Sequence, residues 1–194
     1  MTTPTTLALT RTVDGAEIPA PGTYAVDAAH SSVSFVSRHL MVAKVRGRFE
    51  QVEGEIVVAE DPARSSARAT IAAASINTAD ASRDGHLRSG DFLDVENYPS
   101  LEFSTRSLVP GRGGRWTVDG ELTIKGVTRP ARLEATFEGA LPDPFGNQRI
   151  ILAAAGEIDR EEYGITWNQA LETGGVLVGR KVKVEIEVEA TRVA

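Results

Sequence analysis

Apolar and charged residues alternate one by one along the C-terminal segment, and this pattern limits the available folds more than any other feature. Valine or isoleucine occupies residues 182, 184, 186 and 188, and lysine or glutamate separates them. A period of two residues puts alternate side chains on opposite faces of a β-strand, so the segment predicts a strand with one dry and one wet face. Strand-like runs occur near 30–38, 48–60, 66–77, 101–108, 115–125, 130–140, 149–159 and 178–191.

Short turn sequences separate most of these runs, which favours antiparallel neighbours. About eight antiparallel strands with one apolar face each can bury that face by closing into a barrel, which is either filled by side chains or able to hold one small ligand. The alanine-rich runs at 67–74 and 153–156 indicate room inside. Tight packing that uses those alanines is an equal alternative.

Two segments lack the strand pattern. Residues 78–99 are too long for a hairpin and predict a helix, with Asp80 as its cap, Leu87 pointing inward and Gly90 at its end. A smaller helical piece is predicted for 38–44. Residues 1–21 are rich in Thr, Pro and Ala and predict a tail, poorly ordered or packed on the barrel, before one domain at 22–194.

Composition excludes several classes of protein. The chain of 194 residues has no cysteine, which rules out a disulfide scaffold, a thiolate nucleophile and a cysteine-ligated metal. Its net charge of −6 argues against a nucleic-acid partner. It shows neither a basic, apolar secretory leader nor the roughly 20 apolar residues of a membrane span, so we expect a cytoplasmic protein with no integral membrane segment.

Common catalytic and cofactor motifs are missing. The glycine clusters complete neither G-x-G-x-x-G nor the G-x-x-x-x-G-K-[ST] phosphate loop, and neither G-x-S-x-G nor H-E-x-x-H occurs. The three histidines, His30, His39 and His86, could meet at one metal ion, but they lack paired spacing, so we predict no metal and no resident cofactor. Glu161 and Glu162 beside Tyr163 are a weak signal for acid–base chemistry.

A dense polar cluster lies on the predicted helix. Arg83 and His86 are three residues apart and share a face, and Asp84 can pair with Arg88 four residues on. This cluster is either a solvated helix face or a set of cationic donors at a barrel mouth, suited to a phosphate or carbonyl head group. Alternating cations at residues 44, 46 and 48 either add to the positive charge at the barrel mouth or face water.

Four stretches carry a resemblance to a known family. They are GTYAVDAAHSSVSFVSRHLMVAKVRGRF at 22–49, RDGHLRSGDFLDVENYP at 83–99, LTIKGVTRP at 122–130 and IDREEYGITWN at 158–168. In this order the chain, from Gly22 to its C-terminus, resembles the bacterial YceI-like family. The resemblance implies a lipocalin-like antiparallel barrel whose elongated apolar cavity holds an isoprenoid-type lipid, such as a polyprenyl phosphate or an isoprenoid quinone. It also implies a homodimer.

The family motifs assign roles position by position. The resemblance and side-chain chemistry together place Arg38, His39, Arg83 and His86 at the lipid head group. They place five apolar residues along the tail, Phe35, Phe49, Leu87, Phe92 and Phe103. The chain departs from the family pattern in two respects. Many relatives have an export signal, whereas this sequence shows a polar tail that ends near Pro21. Met41 stands where a small residue is common in the family, which would narrow the cavity.

Three functions remain open at this stage. The first is a binding protein that sequesters or carries the lipid without chemistry. The second is an enzyme, an isomerase or hydrolase of a small amphipathic molecule, with His30, His39 or His86 as acid–base and an arginine as electrostatic stabiliser. The third is a structural dimer with a filled barrel.

Residues 150–155 are apolar on both faces of their strand, which favours cover by another element or subunit.

Overall fold

A computed structural model describes residues 8–40, 42–111, 114–172 and 174–193. Within these ranges the chain forms strands and one α-helix, α1, at Ala81–Arg88. The strands are β1 Thr10–Val13, β2 Ala16–Pro19, β3 Gly22–Val26, β4 Ser32–His39, β5 Ala43–Phe49, β6 Val52–Val58, β7 Ser66–Ala72, β8 Ile76–Asn77, β9 Ser100–Pro110, β10 Arg115–Ile124, β11 Val127–Pro142, β12 Gln148–Asp159 and β13 Val178–Val193.

Eight of these strands close into an antiparallel barrel, which confirms the predicted fold class. The hydrogen-bonded order is β12-β11-β10-β9-β7-β6-β3-β13, and β13 returns to β12. The long β13 makes this closure possible because it pairs with β12 along one edge and with both β3 and β4 along the other. β4, β5 and β8 continue the sheet from β13.

The predicted helix at 38–44 is wrong. These residues end β4 and begin β5, which pair in a hairpin with Ser37 opposite Val45 and Arg38 opposite Lys44. Leu40 has a φ of 51°, a left-handed conformation that turns the chain and cannot continue a right-handed helix. In this segment the alternation of cations beyond residue 43, which is typical of a strand, therefore predicts the structure better than the helical interpretation does. Met41 lies outside the described residues.

The predicted helix in the 78–99 segment is confirmed over its first part. The Asp80 carboxylate accepts a hydrogen bond from the backbone N–H of Arg83 at 3.0 Å, as an N-cap does. The helix ends at Arg88 because Ser89 has extended backbone angles, and residues beyond it form turns. The predicted Asp84–Arg88 pair does not form: Asp84 accepts from Thr78, whereas Arg88 donates to the carbonyls of Ala74 and Ile76.

Before the barrel, β1 and β2 pair as a separate hairpin. Ile18 on β2 is 2% exposed, and β2 contacts β11. On the other strand, the Arg11 guanidinium donates to the backbone carbonyls of Ala59 and Glu60, just beyond the end of β6. The hairpin is thus fastened across one end of the barrel.

The interior holds two apolar clusters rather than one continuous core. The larger includes Phe49, Phe92, Leu93 and Tyr163, and the smaller is built on Tyr24, Ile150 and Ala190. Between them the inward residues of β13, 182, 184, 186 and 188, are each only partly buried, although they point away from the charged outer face. Inward residues stay partly exposed when they face empty space. None of the described helices is long and apolar enough to cross a membrane.

Candidate functional site

The barrel encloses an apolar cavity, which we call the main chamber, with a volume of about 240 Å³. Apolar side chains from almost every barrel strand form most of its wall. All five residues assigned to the lipid tail line it, namely Phe35, Phe49, Leu87, Phe92 and Phe103. The barrel is therefore not filled, and the reading of a solid structural barrel is wrong.

A second apolar cavity, the far chamber, continues from the main chamber and has a volume of about 210 Å³. The two chambers share six wall residues: Val26, Ala69, Phe103, Leu133, Ile186 and Val188. Alanines 67, 135 and 154 also line the far chamber. The alanine-rich runs therefore make room inside the barrel, as one of the two sequence interpretations predicted.

At the other end the main chamber meets a more polar mouth pocket of about 350 Å³. The residues common to both are Phe35, Ser37, Leu87, Phe92 and Val178. The structure brings all four residues assigned to the head group together here, since Arg38, His39, Arg83 and His86 line this pocket. The mouth pocket, main chamber and far chamber form one series from polar to apolar.

The arginines of the mouth pocket differ in how freely they can bind. Arg83 donates from Nε to the Thr78 hydroxyl at 2.7 Å and from Nη2 to the Thr78 carbonyl at 3.0 Å. Asp84 holds Thr78 in turn, because its buried carboxylate accepts from both the Thr78 amide and the Thr78 hydroxyl. Arg38 is exposed at the end of β4, where no carboxylate of the described residues pairs with it. Arg38 is therefore the cation most available to an anionic group.

An aromatic cluster that sequence reasoning missed forms one side of the mouth. Trp167 packs edge-on against His86, with ring centroids 4.7 Å apart, and contacts Phe92 with centroids 5.3 Å apart. His86 also contacts Phe92 edge-on, and its Nε2 lies 2.8 Å from a carboxylate oxygen of Asp91. Trp167 lies within the IDREEYGITWN stretch, so the motif marked the segment without indicating the contact.

Arg160 is a second residue that the sequence did not single out. It is 4% exposed and lines the main chamber. Its guanidinium donates to four backbone carbonyls, those of Ile165, Trp167, Val178 and Gly179, at 2.7–3.3 Å. Burial lowers the pKa of Arg160 from its ordinary value. Arg160 thus ties the Trp167 segment to the start of β13 and positions the mouth.

The other residues proposed for chemistry lie elsewhere. His30 precedes β4 and hydrogen-bonds Asp27, whereas His39 ends β4, so roughly 30 Å of extended chain at ~3.3 Å per residue separates the two. The three histidines therefore do not meet. No group of three or more His, Asp or Glu within the described ranges is arranged to hold a metal.

Two residues of the Glu161–Tyr163 segment are buried or ion-paired. Tyr163 is 1% exposed, and burial raises its pKa to about 12. Glu161 pairs with Arg180 at 3.0 Å.

The alternating cations of β5 lie away from the mouth pocket. They are exposed on one face of the strand, at Lys44, Arg46 and Arg48, and Arg48 pairs with Glu50.

Comparison with known proteins gives a consistent result. The model of the YceI-like domain family matches residues 24–190. A UPF0312 protein of Staphylococcus aureus is 43% identical over 171 residues, which cover 86% of this chain and 95% of that protein. Among solved structures, Burkholderia cenocepacia BcnA aligns with a TM-score of 0.75 at 24% identity, over 86% of this chain and 99% of that one.

A more distant solved structure shares the fold. It is described as a polyisoprenoid binding domain from Saccharophagus degradans, implicated in plant cell wall breakdown. The two chains align with a TM-score of 0.65 at 18% identity, over 90% of this chain and all of that one. The β1–β2 hairpin lies outside the family match.

Proposed function

The chain belongs to the YceI-like domain family, and on that premise we propose that its barrel binds an isoprenoid-type lipid. The head group, a polyprenyl phosphate or an isoprenoid quinone, would sit in the mouth pocket, and the chain would run into the main chamber. The observation that carries this proposal is the apolar chamber opening into a pocket that Arg38, His39, Arg83 and His86 line.

The energetics of the chamber support a ligand with a long apolar part. Each buried methylene group contributes about 0.8 kcal/mol, so several prenyl units bind tightly without strong polar contacts. Taken together, the mouth pocket and the two chambers fall within the size range of about 300–1,000 Å³ that is typical of small-molecule sites. The solved polyisoprenoid binding domain shares this fold, which favours an isoprenoid over other lipids.

The enzyme alternative predicts a compact pocket with polar walls around a histidine. The main chamber instead has apolar walls, and His39 and His86 lie at its mouth rather than within it. This arrangement favours binding and carriage over turnover. The cytoplasmic location and the homodimer remain predictions.

The direct test is extraction of protein purified without detergent, followed by mass spectrometry of the extract and of the intact protein. We expect a co-purifying isoprenoid-type lipid, or saturable binding of an added prenyl alcohol to stripped protein. Absence of both results would refute the proposed function. Turnover of an amphipathic substrate that a His86→Ala variant binds but does not convert would support the enzyme instead.

A further inference from the structure

Part of the floor of the far chamber is formed by residues outside the family match. Ile18 and Pro19 of the N-terminal hairpin line it, together with Pro62 and Ser65 of the neighbouring turn. Below the chamber, Tyr24 donates from its hydroxyl to the Ala20 carbonyl at 2.8 Å, which joins the hairpin to β3. Arg11 holds the hairpin to the end of β6. The far end of the barrel is thus closed in part by Ile18 and Pro19, which precede the family match at 24–190.

The passage between the chambers runs beside Phe103. Its ring lines both cavities and lies over Gly120, where a Cβ atom would come within 2.5 Å of the ring. The glycine therefore makes room for the ring against the wall of the barrel. A ring placed against the wall leaves the centre of the barrel to a ligand chain.

We propose that the far chamber holds the distal end of the bound chain and that the N-terminal hairpin sets an upper limit on its length. This inference rests on the proposed function and goes beyond it by naming the residues that select chain length. The ligand class is a linear prenyl chain long enough to pass Phe103. Chains that end in the main chamber do not contact the hairpin.

Neighbouring alanines on β12 give a matched pair of variants. Ala154 lines the far chamber and pairs with Ala135 across the sheet, whereas Ala155 is exposed on the outer face of the same strand. Ala154→Phe fills the far chamber, and Ala155→Phe adds the same side chain outside. Ala154→Leu is the milder replacement if the phenylalanine is not accommodated, and Ile18→Ala enlarges the chamber at its floor.

The measurement is the affinity of each variant for a series of linear prenyl alcohols from geraniol to solanesol, supplied as cyclodextrin complexes. For the wild type, affinity rises with chain length and then stops rising when the far chamber is full. We expect Ala154→Phe or Ala154→Leu to reach this plateau at a shorter chain, with farnesol affinity within about twofold of the wild type. Ala155→Phe keeps the wild-type plateau, and Ile18→Ala moves it to longer chains.

Tryptophan emission gives a second readout. Trp116 lines the far chamber and Trp167 lines the mouth pocket, and the chain has two tryptophans. In a Trp167→Phe background, emission from Trp116 changes with chains long enough to pass Phe103 and stays constant with shorter ones.

The outcomes separate the two proposals. Prenyl alcohols that bind with the same plateau in Ala154→Leu and the wild type, without a change in Trp116 emission, overturn the chain-length inference and leave the proposed function intact. Absence of binding by any prenyl alcohol overturns both.

Discussion

The imidazole ring of His86 stands at 85° to the indole ring of Trp167, with the ring centroids 4.7 Å apart. Their contact joins α1 to the segment that follows the 3₁₀ turn at Arg160–Tyr163. Edge-to-face aromatic pairs contribute about 0.5–1.5 kcal/mol beyond the area they bury. The pair therefore stabilises one side of the mouth pocket.

Replacing this tryptophan should weaken ligand binding. We expect Trp167→Ala to lower the affinity for a prenyl alcohol about fivefold, since a contact of about 1 kcal/mol and part of the pocket wall are lost. Calorimetric titration measures the change. Phe145→Ala is the control, because Phe145 is 89% exposed on the β11–β12 turn. Equal affinities of Trp167→Ala and the wild type would exclude a role for this side of the mouth.

Arg38 should distinguish anionic from neutral head groups. Arg38 lines the mouth pocket at the end of β4, so Arg38→Ala is expected to weaken a prenyl phosphate about fivefold and leave the matching prenyl alcohol unchanged. Arg46→Ala, on the outer face of β5, is the matched control. Equal losses for the phosphate and the alcohol would show that Arg38 acts on the pocket's shape and not on ligand charge.

Arg160 should be essential to the stability of the mouth. Arg160→Met removes the Arg160 donor from four backbone carbonyls. The Val178 carbonyl keeps its hydrogen bond from Asn168, but those of Ile165, Trp167 and Gly179 lose the guanidinium, and each buried unsatisfied group costs about 1–3 kcal/mol. We expect a loss of at least about 3 kcal/mol in the free energy of unfolding in urea, with faster hydrogen exchange at residues 165–168. Arg180→Met, at a side chain that is 60% exposed, should lose less than Arg160→Met. Similar losses in both variants would contradict the assigned role.

Acid should weaken the end of the barrel opposite the mouth. Hydrogen bonds from Arg149 and then His30 lower the pKa of Asp27 from 3.8 to about 2, and Asn147, with Arg149, does the same for Asp143. A carboxyl group with a lowered pKa stabilises the fold above its unfolded value and loses that contribution as pH falls to its folded value. The urea midpoint should therefore fall between about pH 4 and about pH 2.

The variant that tests this pH dependence is Arg149→Met. Its midpoint should fall less steeply over the same range, because Asp27 loses its strongest partner. Arg64→Met, at an exposed cation on the 3₁₀ turn at Pro62–Arg64, should keep the wild-type slope. A wild-type slope in Arg149→Met would show that Arg149 does not produce the acid sensitivity.

The outer face of β12 tests the homodimer. Ile151 and Ala153 are partly exposed there, and they pair across the sheet with Glu189 and Glu187. If a second copy covers this face, light scattering at micromolar concentration gives a dimer, and Ile151→Glu gives a monomer. Thr123→Glu on β10 is the control. A monomeric wild type would contradict the prediction.

Much of the barrel follows from alternation in the sequence, because a period of two residues separates the inner and outer faces. The hairpin at 10–19 was missed because strands of four residues are too short to show that period. Family motifs marked Arg38, His39, Arg83 and His86, which the structure brings to one pocket. The contacts of Arg160 could not be predicted because its partners are backbone carbonyls, which any sequence supplies. Asp84 pairs with Thr78 instead of the predicted Arg88, because the backbone amide and the hydroxyl of Thr78 both donate to one Asp84 carboxylate oxygen.

The pairing of β13 with β3 also determines when the barrel can close during synthesis. Val26 of β3 pairs with Ala190 of β13, so β3 waits for this partner until residues near 190 have been made. At about 5–20 residues per second, this wait is roughly 10–30 s. Until then the sheet is open along that edge, and the residues that line the cavity are accessible to water. The cavity is thus enclosed only after β13 has been made.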